Sequence, residues 1–133
     1  MRYELCAAES RRARELIELL KLNHVKPERV VVVRSKGTKT RRTIARIHTM
    51  GKVMQLAMDQ EPFYAIELIA ERYDGLSAEE QTKTIIHELL HIPHAFGGGF
   101  RHHKAHVNAR TVDEAYRRLQ AREQTLLGGK TNF

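Results

Sequence analysis

The stretch SAEEQTKTIIHELLHIP, residues 77–93, is the strongest indication of the fold in this sequence. Ser77 followed three residues later by Glu80 is a capping box, a pattern that marks the start of a helix. An apolar stripe at helical spacing follows, made by Ile85, Ile86, Leu89 and Leu90. Pro93 then ends or bends the helix near His91, because proline lacks an amide donor and clashes with the preceding turn. The segment therefore predicts a capped helix with one face directed at a core.

Two histidines stand on this predicted helix, four residues apart, at His87 and His91. Side chains at this spacing project from the same face, so both imidazoles can reach one metal ion. Glu88 is rotated away from their shared direction and is free to act on a water held by that metal. This HExxH spacing is typical of zinc metallopeptidases. It predicts His87 and His91 as ligands of one Zn²⁺ ion and Glu88 as the general base.

A catalytic zinc usually takes three protein ligands, so a third must come from elsewhere in the chain. Six of the eight histidines fall within residues 87–106. Three of them follow the glycines at 97–99, where a turn lets the chain reverse toward the metal. In order of preference, the candidates are His103, His106 and His102.

A carboxylate competes for the same ligand position. Thermolysin-like enzymes take a glutamate from the following helix, which here corresponds to Glu114. A metzincin is excluded, because its third histidine would stand six residues after His91, where this chain has Gly97. We expect His94 to be an exposed or supporting residue, since Pro93 makes its direction hard to infer.

The rest of the chain predicts a small α+β domain of the zincin-like kind, occupying residues 1–127, with a frayed tail at 128–133. An amphipathic helix is expected at 3–22 and a last helix at about 102–124. Strands are expected at 28–33, 44–49 and 63–70. The segment 53–58 fits a short helix or a strand equally well. The strand at 63–70 could also present an edge on which an extended peptide pairs.

Composition narrows the class of protein. The chain has 133 residues, a formal net charge of +7 and one cysteine, Cys6. A single cysteine cannot form an internal disulfide, so a reducing, cytoplasmic location is expected. No apolar run approaches the length of a membrane span, and the N-terminus lacks a signal-peptide pattern, which predicts a soluble protein without a membrane partner.

Residues 34–46 carry six of the 23 lysine and arginine residues and no acidic residue. We expect a turn or an exposed hairpin tip that either is simply solvated or steers an anionic partner. No aromatic residue is interleaved, so the stretch does not predict base stacking. The candidate anion-binding residues are Arg34, Lys36, Lys39, Arg41, Arg42 and Arg46.

Four segments resemble a family of small proteins from archaea and phages that are classed as metallopeptidases. They are residues 28–33, 64–67, 86–93 and 98–103. That family is in turn similar to the SprT-like zinc metalloproteases, whose third ligand is a histidine after the HExxH helix. The resemblance implies His103 as this ligand. Family members tend to have proline where this chain has His102, so a neighbouring substitute is also open.

The leading prediction is a zinc-dependent metallopeptidase that acts on a peptide or protein substrate. Transition-state or substrate contacts could come from Arg101, His106, Tyr116 and Tyr64. The alternative is a nucleic-acid-associated protein that binds through residues 34–46 and carries a structural or vestigial metal site. A third hypothesis is an inactive metal-binding scaffold. The oligomeric state is left open.

Overall fold

A computed structural model of the protein describes residues 1–97 and 107–131, with side chains described as far as residue 127 in the last helix. The elements in chain order are β1 (Arg2–Leu5), α1 (Ala7–Leu19), a 3-10 turn (Pro27–Arg29), β2 (Val30–Lys36), β3 (Ala45–Thr49), α2 (Lys52–Met58), β4 (Tyr64–Ile69), α3 (Ala70–Tyr73), α4 (Ala78–Leu90) and α5 (Ala109–Thr131). The predicted α+β class is confirmed, with an N-terminal helix, a four-stranded mixed sheet and a C-terminal helix.

The strands form one sheet in the order β1-β2-β4-β3. β2 and β4 run parallel, while β1 and β3 each pair antiparallel with an inner strand. The predicted helix at 3–22 is wrong at both ends. Arg2–Leu5 form β1, because this short segment completes the backbone hydrogen bonding of β2, and the helix ends at Leu19. Lys21 then adopts a left-handed φ of 53°, which turns the chain out of the helix.

The strand order corrects two predictions. β4, within the predicted 63–70 strand, pairs with β2 on one side and β3 on the other, so it has no free edge for a peptide. Among the described residues, the sheet edge on that side belongs to β3. Residues 34–46 are not a hairpin tip either. Residues 34–36 belong to β2 and Arg46 to β3, and these two strands are separated by β4.

The structure also defines the conformation of segment 53–58 and the residue at which the last helix begins. The ambiguous 53–58 segment is helical, within α2. The last helix begins later than the predicted residue 102, because Asn108 caps it. The Asn108 Oδ1 atom accepts from the Thr111 amide at 3.0 Å, and the Thr111 hydroxyl accepts from the Asn108 amide at 3.0 Å. The assignment of 1–127 to one domain with a tail at 128–133 stays a prediction; residues 132 and 133 lie outside the described part.

One face of the sheet carries the core. α1, α4 and α5 cover it with the apolar side chains that their helical spacing placed on one face, including Leu16, Ile86 and Leu119, all 0% exposed. Val32 and Ile66 supply the strand side of the same cluster. Burying an aliphatic side chain of this size contributes about 1.5–3 kcal/mol. The helix that carries the two histidines is therefore fixed by its apolar face against the sheet and its neighbours.

A buried carboxylate joins three strands on the opposite face of the sheet. Glu67 of β4 accepts hydrogen bonds from Ser35 Oγ at 2.6 Å, Arg46 Nε at 3.0 Å and His48 Nε2 at 2.8 Å. Burial alone would raise the pKa of Glu67, but these donors outweigh it and hold the pKa at about 2. The edge strand β3 is thus bonded to β4 through side chains as well as through the backbone.

Replacement of Glu67 by Gln should lower the free energy of unfolding at neutral pH by about 3 kcal/mol, because the hydrogen bonds that stabilise the ionised carboxylate form only in the folded state. The folded pKa lies below the unfolded value of 4.5, so this contribution is present above pH 4.5 and is lost as the pH falls toward 2. Chemical denaturation at several pH values measures it.

The matched control is Glu28→Gln, which removes an exposed carboxylate with no ion pair among the described residues. It should change the free energy of unfolding by less than about 0.5 kcal/mol. If the difference between wild type and Glu67→Gln were the same at pH 2.5 as at pH 7, the ionised carboxylate would not be the source of the stability.

Candidate active site

The helix that carries the two histidines is capped as its sequence predicts. The Ser77 hydroxyl accepts a hydrogen bond from the Glu80 amide at 3.1 Å, and α4 follows from Ala78 to Leu90. The helix closes with two tighter bonds, from the His91 amide to the Glu88 carbonyl and from the Ile92 amide to the Leu89 carbonyl, each at 3.1 Å. The chain then leaves helical geometry just before Pro93, as predicted.

The two histidines lie side by side on α4. Their ring centroids are 5.1 Å apart, and the ring planes meet at 67°. His91 is the more buried, with 6% of its surface exposed, while the His87 side chain is 34% exposed. Two imidazoles from successive turns of one fixed helix can supply two nitrogen ligands to a single zinc ion. The structure therefore brings this pair together in the way the spacing predicts.

Glu88 lies beside the pair and is buried, with 7% of its surface exposed. Its Oε2 atom lies 3.9 Å from His87 Nε2. Burial raises the pKa of the Glu88 carboxyl to about 7, because the charged form is poorly solvated there. A carboxyl with a pKa near neutrality exchanges protons readily in both directions, which is the property that a general base needs.

His87 and Glu88 open onto a cleft of about 710 Å³. One wall is the segment that leads into β3, a second is α4, and a third is the first turn of α5. The lining residues are Arg42, Thr43, Ile44, Ala45, Glu80, Lys83, Thr84, His87, Glu88, Ala109, Val112 and Asp113. The cleft is large enough for several residues of an extended peptide, and the beginning of the sheet edge lies in its wall.

The donor set at the cleft suits zinc but is incomplete in the described part of the chain. Within residues 1–97 and 107–131, no group of three or more His, Cys, Asp or Glu side chains is placed to hold a metal ion. Glu114 is exposed on α5 and does not join the histidine pair in such a group. The other predicted ligands, His102, His103 and His106, lie outside the described residues, as does Arg101. The identity of the third ligand stays a prediction.

The chain returns to the cleft immediately after the undescribed segment. Ala109 lines the same cavity as His87 and Glu88, and it stands only three residues after His106. The described part of the chain therefore resumes at the wall of the cleft that also holds His87 and Glu88.

Two tyrosines, Tyr116 and Tyr64, were predicted as substrate contacts. In the structure, one lies near the cleft and the other lies in the core. Tyr116 lies on α5, where the Lys83 ammonium stands 5.1 Å from its ring centroid. Lys83 also bridges Glu79 at 3.1 Å and Asp113 at 3.2 Å, which ties α4 to α5. Tyr116 is therefore close to the cleft wall that Lys83 forms.

Tyr64 is fully buried, with 0% of its surface exposed. Its hydroxyl accepts a hydrogen bond from the Gly97 amide at 3.0 Å, and its ring packs on Phe96 with centroids 5.0 Å apart. Gly97 has a left-handed φ of 92°, and a Cβ atom there would lie 2.5 Å from Pro62 Cγ. These contacts favour a supporting role for Tyr64, which fixes the segment after the histidine helix.

A further support comes from a histidine that the sequence patterns did not single out. His24, in the loop after α1, places its Nε2 atom 3.2 Å from the Ile92 carbonyl, directly after the second histidine of the pair. Its ring also lies 4.5 Å from that of His94, measured between centroids. No local pattern could have revealed this contact, because it joins residues 68 positions apart.

The six predicted anion-binding residues separate into two groups. Arg34 forms ion pairs with Glu4 and Asp74, and Arg46 pairs with Glu67, so these two cations are compensated. The other four are exposed and form no ion pair with another described residue: Lys36, Lys39, Arg41 and Arg42. The prediction of an uncompensated patch therefore holds for Lys39, Arg41 and Arg42, whereas the charge of Lys36 interacts with the carboxylate of Glu71.

A capped helix that places two histidines side by side, with one of them and a buried glutamate in the wall of a cleft, has the features of a metallopeptidase domain. The comparison with known families agrees. Residues 1–126 match the family described as putative phage metallopeptidase, and the chain belongs to that family. No curated protein and no solved structure matches the chain. None of the helices in the described part is both long and apolar enough to cross a bilayer.

Proposed function

We propose that the protein is a zinc-dependent metallopeptidase of the HExxH type, with His87 and His91 as ligands and Glu88 as general base. The observation that carries the proposal is the placement of the buried Glu88 carboxyl in one cleft with His87, whose ring centroid lies 5.1 Å from that of His91. Burial of a carboxylate is costly for folding, and such groups in a cleft are frequent at functional sites. Family membership supports the metal-dependent reaction class.

In the proposed mechanism, Glu88 accepts a proton in the first stage and donates it in the second. A bound zinc ion supplies Lewis acidity, which polarises the scissile carbonyl and makes water more acidic. Glu88 accepts a proton from the attacking water at its carboxylate, and the water oxygen forms the new bond to the carbonyl carbon. Glu88 then donates that proton to the nitrogen of the leaving amine as the C–N bond breaks.

The sequence supplies candidates for the third metal ligand and for the group that stabilises the oxyanion. We propose His103 as the third ligand, with His106, His102 and Glu114 as the alternatives to be tested. Arg101, His106 and Tyr116 are the candidates for stabilising the oxyanion. Of these, Tyr116 lies in the described part, beside the Lys83 wall of the cleft.

The substrate would pair with β3 rather than with the strand predicted from the sequence. β3 is bonded to β4 on one side, and its start lies in the cleft wall through Ile44 and Ala45. An extended peptide can add to such an edge by backbone hydrogen bonds, which require little of its side chains. This geometry favours unfolded polypeptide segments as substrates.

The first test is hydrolysis of an unfolded protein such as casein by the zinc-loaded protein, followed by mass spectrometry of the products. We expect cleavage that stops on removal of the metal with a chelator and returns on addition of zinc. The control is the same chelator treatment of a metal-independent protease. Absence of cleavage by the zinc-loaded protein, or cleavage that survives chelation, would contradict the proposal.

The nucleic-acid alternative has weaker support. In the candidate surface, residues 34–46, both Arg34 and Arg46 form ion pairs with acidic residues of the protein. Fewer cations are therefore available to neutralise phosphates than the sequence suggests. The cations that remain exposed include Arg42, which faces the same cleft as Glu88. These observations favour a role for the basic segment in substrate selection.

A further inference from the structure

The segment between β2 and β3, residues 37–44, carries three exposed cations: Lys39, Arg41 and Arg42. None forms an ion pair with another residue in the described ranges. The arginines that flank the segment, Arg34 and Arg46, are both paired. Unpaired positive charge in this part of the protein is thus concentrated on one short connection.

This connection is held in place by hydrogen bonds. Arg72 Nε donates to the Thr40 carbonyl at 3.3 Å, and the Gly37 amide donates to Glu71 Oε2 at 2.7 Å. Within the segment, the Thr43 amide donates to the Thr40 hydroxyl at 3.4 Å. The charges therefore project from a backbone with a defined position relative to the sheet.

The connection also forms one wall of the candidate active site. Residues 42–45 line the cleft together with His87 and Glu88. On the α4 wall, Lys83 is neutralised by Glu79 and Asp113. Glu80 adds a further negative charge to that wall. The two walls thus differ in charge, and the unpaired cation of the described lining lies on the β3 side.

We infer that this wall selects peptide substrates with acidic side chains next to the scissile bond, on the side of the peptide that passes residues 42–44. Arg42 contacts the substrate carboxylate, while Lys39 and Arg41 attract it from the rim. The inference rests on the proposed function, and it adds the substrate class. A guanidinium next to the cleft suits a carboxylate geometrically, since it can donate two parallel hydrogen bonds.

A peptide partner fits these residues better than a nucleic acid. Proteins that bind nucleic acid through its backbone commonly make about 6–10 phosphate contacts. Here only three unpaired cations lie on the connection, and it carries no aromatic side chain for base stacking. Arg42 also lines the same cleft as Glu88, which places its charge along the proposed path of a bound peptide.

The experiment compares two forms of one cleaved peptide. A casein-derived peptide identified by mass spectrometry is resynthesised with Glu or with Gln on either side of the scissile bond. We expect the zinc-loaded wild type to prefer the Glu form in kcat/KM by at least about 3-fold, and to lose this preference as salt is added. In Arg41→Gln/Arg42→Gln the ratio should fall toward 1.

The matched control is Arg117→Gln/Arg118→Gln, which removes the same charge from an exposed part of α5 outside the lining of the cleft. It should keep the wild-type ratio. Lys39→Gln/Arg41→Gln, which leaves the cleft residue Arg42 in place, provides a second variant and should reduce the ratio by a smaller factor. Circular dichroism verifies that each variant is folded.

The outcomes separate the inference from the function on which it rests. If the wild type cleaves casein but treats the two peptides equally, the acidic preference is wrong and the peptidase assignment stands. If it cleaves nothing, both fail. If Arg41→Gln/Arg42→Gln keeps the peptide ratio but loses binding of a single-stranded oligonucleotide, the wall serves nucleic acid and the inference is overturned.

Discussion

Replacement of Glu88 by Gln is expected to lower peptide hydrolysis by about 10³-fold while zinc content stays at the wild-type level. The amide keeps the shape of the buried side chain, but it cannot accept the proton of the attacking water. The proposed metal ligands, His87 and His91, are untouched. Hydrolysis of the casein-derived peptide and metal content by atomic absorption are measured on the same preparation.

The matched control is Glu80→Gln, because Glu80 lies on the same helix and lines the same cleft. It should retain hydrolysis within a few-fold of wild type, since it contacts the Ser77 hydroxyl through its backbone amide alone. Hydrolysis by Glu88→Gln at the wild-type rate would remove Glu88 from the mechanism. Loss of zinc together with activity would mean that Glu88 is required for metal binding rather than for proton transfer.

Loss of bound zinc is the second large expected effect, for His87→Ala and His91→Ala. Removal of one ligand from a three-ligand site typically lowers metal affinity far more than the 10–100-fold seen for supporting residues. Both variants should also lose hydrolysis. Titration of the metal-free proteins with zinc, in competition with a chelator, gives the affinities.

The same titration identifies the third ligand. We expect His103→Ala to match the two helix variants, whereas His102→Ala, His106→Ala and Glu114→Ala bind zinc nearly as wild type does. His94→Ala is the control, because this exposed histidine stands three residues after His91 and is not proposed to bind the metal. If His106→Ala or Glu114→Ala loses the metal in place of His103→Ala, the ligand assignment changes without affecting the role of Glu88.

The parts of the site that the sequence predicted are those determined locally. Ser77, the apolar stripe and Pro93 define α4 within a few residues, so spacing alone places the histidine pair on one face of that helix. The core positions Val112, Ala115 and Leu119 are buried for the same reason, since helical periodicity selects them.

The errors concern long-range pairing. Strand order cannot be read from spacing, because β2 pairs with β4 across an intervening strand and helix. The sequence therefore assigned the peptide-binding edge to β4, whereas β3 is the edge. The compensation of Arg46 by Glu67 depends on the same register, which places these two residues opposite each other. β1 was missed because its four residues gain a strand conformation only by pairing with β2.

The carboxylate of Glu67 has a consequence for substrate affinity. It bonds Arg46 and His48 of β3 on the sheet face opposite the helices, so the edge strand is restrained by side chains in addition to its ladder. Under the proposed function, the conformational entropy of this edge is lost during folding rather than when a peptide adds to it. On binding, conformational entropy is then lost mainly by the incoming peptide. Glu67, on the face opposite the helices, would thereby lower the entropic penalty of adding a peptide to this edge.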